Sequence, residues 1–185
     1  MQQIFSKHDT LHYLLAIDPG LSTGITLGVY SDEVPYIRTH YWQVEGGTHA
    51  FCDWYEEHDG GMVDVVDHLV TLFGPDGGGQ TRHVDFEKVV EKFILNPANP
   101  YAADLTPVEI EGALIAFGEN PHWQNRSDKS MVKDRVLREN DLWLTGKQVG
   151  CRDARDVNDA TIHSLVHMMR KRHIPTIQHY FKGGE

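Results

Sequence analysis

Cysteines and long apolar runs are scarce in this 185-residue sequence. The two cysteines, Cys52 and Cys151, lack CxxC spacing, which argues against a disulfide framework or a zinc knuckle and predicts reduced thiols. No apolar run approaches the roughly 20 residues that span a bilayer, and the first residues lack the apolar centre of a signal peptide. We therefore expect a cytoplasmic protein with no membrane partner.

Acidic side chains outnumber basic ones, but the two are unevenly distributed along the chain. The chain has 17 Lys and Arg against 27 Asp and Glu, a formal net charge of −10 that argues at first against a polyanionic partner. Residues 120–185, however, hold 12 basic and 8 acidic side chains, a balance of +4, whereas residues 1–119 have a balance of −14. The 12 histidines can add positive charge below neutral pH. Any anion-binding surface is therefore expected in the last third.

A nucleotide-binding phosphate loop is missing as well. The glycine-rich residues 75–80 are not followed by Lys and Ser or Thr, so we interpret them as a flexible loop. With 40% hydrophobic and 24% charged residues, the composition is that of an ordinary globular protein. The length predicts a single α/β domain over residues 1–185, with a polar arm at 1–10 and a tail at 174–185.

A carboxylate at the end of an apolar strand is the first candidate for chemistry. Residues 14–18 form an apolar run that ends on Asp18, and a turn of Pro, Gly, Ser and Thr leads to a second run at 25–30. This hairpin would hold Asp18 rigidly at the end of its first strand. Alternatively, Asp18 only shapes the turn through a local hydrogen bond. Residues 34–44 alternate as a third strand, so three antiparallel strands open the fold.

Helical spacing follows the three strands. Residues 48–73 have a helical pattern that Gly60 and Gly61 break or bend. A Thr-Pro-x-Glu capping box begins a second helix over residues 106–117. Gly112 lowers the stability of that helix, which indicates close packing against the sheet or a ligand.

An acidic residue lies in the centre of a later apolar strand. Residues 88–95 have the composition of a strand, with Glu91 among Val and Phe side chains. A buried, unpaired carboxylate is costly, so Glu91 needs a partner cation or a solvated cleft. Lys92 points to the opposite face by strand alternation and is not the obvious partner. The alternative is an edge strand with Glu91 in water.

The last third combines a basic segment with an acidic helix start. We predict a short strand at 122–125, a polar loop at 126–130 and a basic helix at 130–140. The basic side chains of this last third include Lys129, Lys133, Arg135, Arg138, Arg152 and Arg155. Each of them taken singly has the alternative of being solvated surface.

Residues 153–169 have the apolar stripe of a helix. Asp156, Asp159 and His163 are spaced i, i+3 and i+7, which places them on one adjoining face. Asp153 is a natural N-cap residue, and the helix dipole favours acids near the N-terminus. The acids of this helix therefore have a structural explanation when considered alone.

Taken together, carboxylates from three separate segments suggest a metal site. Asp18, Glu91, Asp156 and Asp159, without cysteine ligands, form the donor set that Mg²⁺ or Mn²⁺ prefers. Residues 16–20 with Ser22-Thr23-Gly24, residues 89–93 and residues 156–160 resemble, in this order, the RuvC family of Holliday junction resolvases, most closely its bacteriophage members. The resemblance extends over about residues 12–170.

This resemblance implies a ribonuclease H-like α/β fold, in which a mixed sheet begins with three antiparallel strands, continues with parallel strands and is flanked by helices. It implies a Mg²⁺-dependent endonuclease that cleaves Holliday junctions or other branched DNA as a homodimer, in the host cytoplasm if phage-encoded. In the family, an Asp on the first strand, a Glu on the fourth and two acids on the last helix bind two metal ions. These roles carry over to Asp18, Glu91, Asp156 and Asp159, with Asp153 as a competitor for the helix position. The six basic side chains would then contact backbone phosphates.

Two other functions remain open from the sequence. A strand, an Asp and a Gly-Ser/Thr turn also resemble the phosphate loop of actin-like ATPases and sugar kinases. That arrangement needs a second such domain, and no second copy of the motif is present. The other alternative is a non-catalytic branched-DNA-binding protein of the same fold, against which the presence of all four acids argues.

Overall fold

A five-stranded mixed sheet organises the chain. The fold was obtained as a computed structural model that describes Phe5 and residues 10–73, 84–92 and 105–181. The strands are β1 (Leu11–Asp18), β2 (Ser22–Tyr30), β3 (Ile37–Glu45), β4 (Val84–Lys92) and β5 (His122–Asn125). Their order is β3-β2-β1-β4-β5. The first three are antiparallel, whereas β4 runs parallel to β1 and β5 parallel to β4, which confirms the predicted mixed sheet.

Helices cover both faces of this sheet. They are α1 (Gly47–Glu57), α2 (Met62–Phe73), α3 (Thr106–Ala116), α4 (Asp134–Glu139), α5 (Gly146–Val149), α6 (Arg155–Arg170) and α7 (Ile174–Phe181). The predicted break after α1 is confirmed, because a short 3₁₀ helix (Asp59–Gly61) contains Gly60 at φ +59°. Helix α7 lies within the segment expected to be a tail. Among the described residues, no helix is both long and apolar enough to cross a membrane.

The predicted basic helix over residues 130–140 is wrong. A 3₁₀ helix (Arg126–Met131) comes first, and the much shorter α4 follows after extended backbone at Val132 and Lys133. The 3₁₀ helix is held by a reciprocal cap, in which the Asn125 backbone N–H donates to Asp128 at 2.8 Å and the Asn125 side chain accepts in return. This local cap competes with continuous helix over the same residues.

Two predictions about α3 are also wrong. The predicted capping box, with Thr106 as N-cap residue, is wrong because Leu105 is the N-cap residue of α3 and its side chain makes no cap hydrogen bond. Glu109 instead accepts a hydrogen bond of 2.7 Å from the Thr48 hydroxyl of α1. Gly112 does not mark a close approach to the sheet, since a Cβ built there meets no atom within 4 Å in the part of the chain that the structure describes.

Strand alternation divides the buried side chains between two cores. From β1, residues Leu11, Tyr13, Leu15 and Ile17 join α1, α2 and α3 in one core, whereas Leu14 and Ala16 join α4, α6 and α7 in the other. On β4, Val89 belongs to the core with α6, and Val90 belongs to the opposite core. By the same alternation, Asp18 and Glu91 point toward α6.

Helix α6 approaches the sheet closely at its N-terminal end. A Cβ built on Gly24 of β2 would lie 2.0 Å from the carbonyl carbon of Asp156. Only a residue without a side chain fits between these two backbones. Gly24 therefore allows the first turn of α6 to rest directly on β2. The predicted loop at 75–80, strand residues 93–95 and most of the polar arm lie outside the described residues.

Candidate active site

Three carboxylates from three elements meet in one cleft at the end of β1. Asp18 comes from β1, Glu91 from β4 and Asp159 from α6. They surround the ammonium group of Lys129, whose Nζ lies 3.3 Å from Asp18 Oδ1, 2.8 Å from Glu91 Oε2 and 2.9 Å from Asp159 Oδ2. Residues between 30 and 111 positions apart in the sequence are thereby brought into direct contact.

Asp18 is directed into this cleft rather than into its own turn. The local side-chain hydrogen bonds of the turn come from Thr23, whose hydroxyl donates to the Gly20 carbonyl at 3.0 Å. The side chain of Asp18 is 9% exposed. Burial raises its pKa well above the ordinary value, and the neighbouring carboxylates add to this effect while Lys129 opposes it. Asp18 is therefore held where its negative charge is costly unless a cation is nearby.

Glu91 has the partner cation that its position required. Strand β4 lies between β1 and β5, so the edge-strand alternative is wrong. Besides Lys129, the ring Nε2 of His163 on α6 lies 2.9 Å from Glu91 Oε2. Although burial opposes ionisation, these hydrogen bonds and charges lower the pKa of Glu91 to about 2. Glu91 is thus a carboxylate at neutral pH.

The imidazole of His163 is fixed from both sides. Its Nδ1 lies 2.7 Å from Oε1 of Gln124 on β5, and the Gln124 amide nitrogen donates to the His163 carbonyl at 3.2 Å. The ring is fully buried, and both of its nitrogens face oxygen acceptors. These two contacts fix the plane of the imidazole beside Glu91.

The two acids near the start of α6 have different surroundings. Asp159 contacts Lys129, whereas Asp156 accepts a hydrogen bond of 3.1 Å from the Gln43 amide of β3 and another from the Ser22 hydroxyl. Burial raises the pKa of Asp156, and the hydrogen bond from Ser22 opposes the shift. Electrostatic repulsion from Asp156 also contributes to the raised pKa of Asp18.

Asp153 lies outside this group. It is exposed and accepts a hydrogen bond of 3.0 Å from the Arg155 backbone N–H, while Ala154 is the N-cap residue of α6. The side chain of Asp153 therefore supports the helix start without being the N-cap itself. Of the two competitors, Asp156 accepts hydrogen bonds from Gln43 and Ser22, whereas Asp153 lines a neighbouring groove together with Asp159.

The predicted basic residues are divided between the cleft and its border. Lys129 lies inside, among the carboxylates. Arg126, Lys133, Arg135 and Arg155 line a groove that Asp159 and Lys129 also line, and Arg152 with Arg155 lines a neighbouring groove beside Asp159. Arg138 stacks its guanidinium 3.6 Å from the ring centre of Trp143, and Arg135 pairs with Glu139 at 3.2 Å. A positive border thus flanks the acidic cleft.

The donor set of the cleft fits a divalent cation. Ligand atoms of Asp18, Glu91 and His163 lie within 4.8 Å of one another, and the Lys129 ammonium shows that a positive group is accommodated among three carboxylates. Carboxylate oxygens suit Mg²⁺ or Mn²⁺, and the imidazole adds a nitrogen donor that Mn²⁺ and later transition metals accept more readily.

Sequence reasoning did not assign His163, Gln124 or Gln43 to the site. The helical spacing placed His163 on the face of Asp156 and Asp159, which was a usable signal. Nothing in the spacing indicated that this ring reaches Glu91, because the contact joins residues 72 positions apart. Gln124 and Gln43 have no sequence signal at all, since polar residues in strands are common.

Comparison with known proteins gives a similarity in structure alone. No family model and no curated protein matches the sequence. Thermus thermophilus RuvC in complex with a Holliday junction substrate is similar over 89% of this chain and 97% of that chain, with 15% identity and a TM-score of 0.43. A second structure of T. thermophilus RuvC is similar over 86% of this chain and 95% of that chain, with the same identity and TM-score.

Proposed function

We propose that this protein is a divalent-metal-dependent endonuclease that hydrolyses phosphodiester bonds in branched DNA, with Holliday junctions as the expected substrate. The convergence of Asp18, Glu91 and Asp159 on one cationic group in a single cleft carries this proposal. Such a cluster is costly without cations, so it is expected to have a role that uses them. The positive border provides the complementary surface for a polyanion.

Asp18, Glu91 and His163 would hold one divalent ion, with Asp159 beside them and Asp156 available for a second. When bound, such ions would lower the pKa of a water molecule and stabilise the leaving oxygen of a phosphodiester. Lys129 contacts both Asp18 and Glu91, and His163 contacts Glu91, so both carboxylates would be oriented before an ion binds. Gln124 fixes the ring plane of His163 through its hydrogen bond to Nδ1.

In this proposal Lys129 contacts the carboxylates in the absence of metal and the DNA phosphate in its presence. Without metal, its ammonium neutralises three carboxylates that would otherwise repel one another. With the carboxylate charges balanced by bound cations, Lys129 would be free to contact a non-bridging oxygen of the scissile phosphate. The 3₁₀ helix that carries Lys129 also lies next to Arg126 and Lys133, which continue the positive surface.

The positive border is suited to backbone contacts rather than to base reading. Lys133, Arg135, Arg152 and Arg155 are exposed. Arg135 lies on the short α4, Lys133 and Arg152 lie in connections, and Arg155 begins α6. Side chains of this kind neutralise phosphates wherever they meet them, which suits recognition of DNA shape. A four-way junction has two-fold symmetry and needs two symmetric cuts, so we propose that two copies of the chain act together.

A cleavage assay on matched substrates tests the proposal. A labelled four-way junction and a linear duplex containing the same sequences are incubated with purified protein in Mg²⁺, in Mn²⁺ and in excess chelator. We expect cuts in the junction with either metal, few in the duplex and none with chelator. The matched control for Asp18→Asn is Asp64→Asn, which removes a half-buried acid paired with His58 on the opposite face of the sheet.

Each outcome of this assay distinguishes among the functions. Loss of cleavage in Asp18→Asn and its retention in Asp64→Asn would support the active site. Tight junction binding without cleavage by the wild type would identify a non-catalytic binding protein. Junction cleavage by the wild type in excess chelator would refute the metal mechanism.

A further inference from the structure

A second group of metal-binding side chains lies on the same face of the sheet as the candidate active site. Glu87 and Glu91 are four residues apart on β4 and both point toward α6. Glu91 meets His163, and Glu87 meets His167 one helical turn further along, with Nε2 to Oε2 at 3.0 Å. The two carboxylates are separated by roughly 13 Å of strand. This second pair therefore forms a separate site.

A third donor completes the second group. His122, the first residue of β5, places its Nε2 3.9 Å from Glu87 Oε2, and its ring centre lies 5.0 Å from that of His167. Ligand atoms of Glu87, His122 and His167 all lie within 4.8 Å of one another. Three elements, β4, β5 and α6, thus each contribute one ligand.

Hydrogen bonds to Oε1 of Glu87 orient its carboxylate so that Oε2 faces the two histidines. Oε1 accepts a hydrogen bond of 2.6 Å from the Lys171 ammonium and another from the Tyr30 hydroxyl. Burial opposes ionisation, yet these hydrogen bonds together with that of His167 hold the pKa of Glu87 well below its ordinary value. Oε2 is therefore an anionic oxygen that faces the imidazoles of His122 and His167.

We propose that Glu87, His122 and His167 form a Zn²⁺ site distinct from the carboxylate cleft. Two imidazoles and one carboxylate are a donor set that Zn²⁺ favours over Mg²⁺. Zn–ligand bonds of about 2.0–2.1 Å in a tetrahedron place ligand atoms roughly 3.3 Å apart. The observed separations of 3.0 and 3.9 Å from Glu87 Oε2 lie on either side of this value, so small side-chain movements suffice.

The surroundings indicate how the ion would be bound. The side chain of His122 is 63% exposed, whereas those of Glu87 and His167 are 17% and 8% exposed. An ion would enter from the His122 side and keep a solvent-facing position for a fourth ligand. Because His122 begins β5, the bound ion would tie this short edge strand to α6 and β4.

Lys171 provides a charge test of the same geometry. Its ammonium group contacts the Glu87 oxygen opposite the proposed ion and opposes a second cation through electrostatic repulsion. Lys171→Met removes this repulsion while the Tyr30 hydroxyl still holds Oε1 of Glu87, so the variant should strengthen Zn²⁺ binding. If Glu87, His122, His167 and Lys171 formed only a hydrogen-bonded structural group, Lys171→Met would leave Zn²⁺ binding unaffected.

Zn²⁺ titration of the wild type and matched variants tests the site without relying on nuclease activity. Wild type, His122→Ala, Asp18→Asn and the double variant are titrated calorimetrically with Zn²⁺ alone, and Co²⁺ absorption reports nitrogen ligation. His122 is exposed, so His122→Ala should keep its melting temperature in chelator; His179→Ala, another exposed histidine, is the matched control. We expect His122→Ala to weaken one binding event at least about tenfold in both backgrounds, while His179→Ala leaves it within twofold.

Two results would overturn the second site. The first is a Zn²⁺ isotherm that His122→Ala leaves unchanged in the Asp18→Asn background. The second is Zn²⁺ binding that Asp18→Asn alone abolishes, because this would assign all binding to the carboxylate cleft. Neither result depends on whether the protein cleaves DNA, so this inference and the proposed function can fail separately.

Discussion

Single side chains in the cleft are in electrostatic balance with one another. Asp18 is buried and its pKa is raised, Glu91 is ionised with a lowered pKa, and Lys129 contacts both. Although burial opposes the charge of Lys129, the carboxylates raise its pKa above the ordinary value. Removing any one member should therefore change the stability of the fold in a direction set by its charge.

Asp18→Asn should melt at or above the wild-type temperature in chelator at pH 7. A raised carboxyl pKa means that ionised Asp18 destabilises the folded protein, and the neutral amide removes this cost. In the variant, Lys129 still contacts Glu91 and Asp159. The variant should gain less than wild type from added Mg²⁺, because only the folded state offers the site. Thermal melts with and without Mg²⁺ measure both effects, and a clearly lower melting temperature in chelator would contradict this view.

Lys129→Met should destabilise the metal-free protein by about 2–4 kcal/mol, because it leaves three carboxylates without their shared cation. The loss should shrink in Mg²⁺, which can replace the missing charge. Urea denaturation in chelator and in Mg²⁺ measures the difference, with the exposed Lys133→Met as control. An equal loss under both conditions would mean that the packing of the Lys129 side chain matters rather than its charge.

At the scale of elements, α6 and β4 build the cleft between them. Helix α6 supplies Asp159 and His163, β4 supplies Glu91, and the close contact at Gly24 sets the position of the helix start. The site therefore depends on backbone packing as well as on its charged groups.

Gly24→Ala should lower the free energy of unfolding by about 1–3 kcal/mol and reduce junction cleavage. The added methyl group would meet the Asp156 backbone at 2.0 Å, so α6 must move away from β2 and carry its acids with it. The matched control is Gly112→Ala in α3, where the methyl meets nothing within 4 Å and should stabilise the helix by up to about 1 kcal/mol. Equal stability of the two variants would show that α6 tolerates the shift.

The interactions of Glu91, which join β4 to α6, should make the stability of the protein depend on pH in the acid range. Because the folded pKa of Glu91 is about 2 and its ordinary value is 4.5, its contribution is complete above about pH 4.5 and is lost as pH falls toward 2. Since the site is partly open to solvent, we expect Glu91 to contribute about 1–2 kcal/mol to the free energy of unfolding. The difference in unfolding free energy between wild type and Glu91→Gln, measured in chelator, should decline over this interval. A difference that is constant between pH 2 and 5 would exclude the ion-paired carboxylate.

At the scale of the whole molecule, the charge asymmetry of the sequence becomes an asymmetry between two faces. The acidic helices α1 and α2 pack on one side of the sheet, and the segment with Lys133 and Arg135 lies on the side of α6. A net charge of −10 is therefore compatible with a local positive surface beside the cleft.

Neutralising Lys133 and Arg135 together should weaken binding to every DNA tested and reduce the slope of log affinity against log salt by about 2. Fluorescence anisotropy of junction and duplex in chelator, at 50–200 mM salt as a rough range, measures this change. Arg172→Gln, beyond the far end of α6, is the control. A loss confined to one sequence would show that these side chains read bases.

The sequence by itself determined the local features of this protein. Period-two and helical patterns placed Asp18 at the end of a strand, Glu91 inside another and Asp159 with His163 on one helix face, because these periods follow from backbone geometry alone. Only the tertiary structure decided that Lys129 lies among the carboxylates and that Glu87, His122 and His167 meet. Those contacts depend on how α6 crosses the sheet and on a 3₁₀ helix where a longer helix was predicted. The packing of segments distant in sequence sets the crossing of α6 and the 3₁₀ helix, and local sequence patterns do not predict such packing.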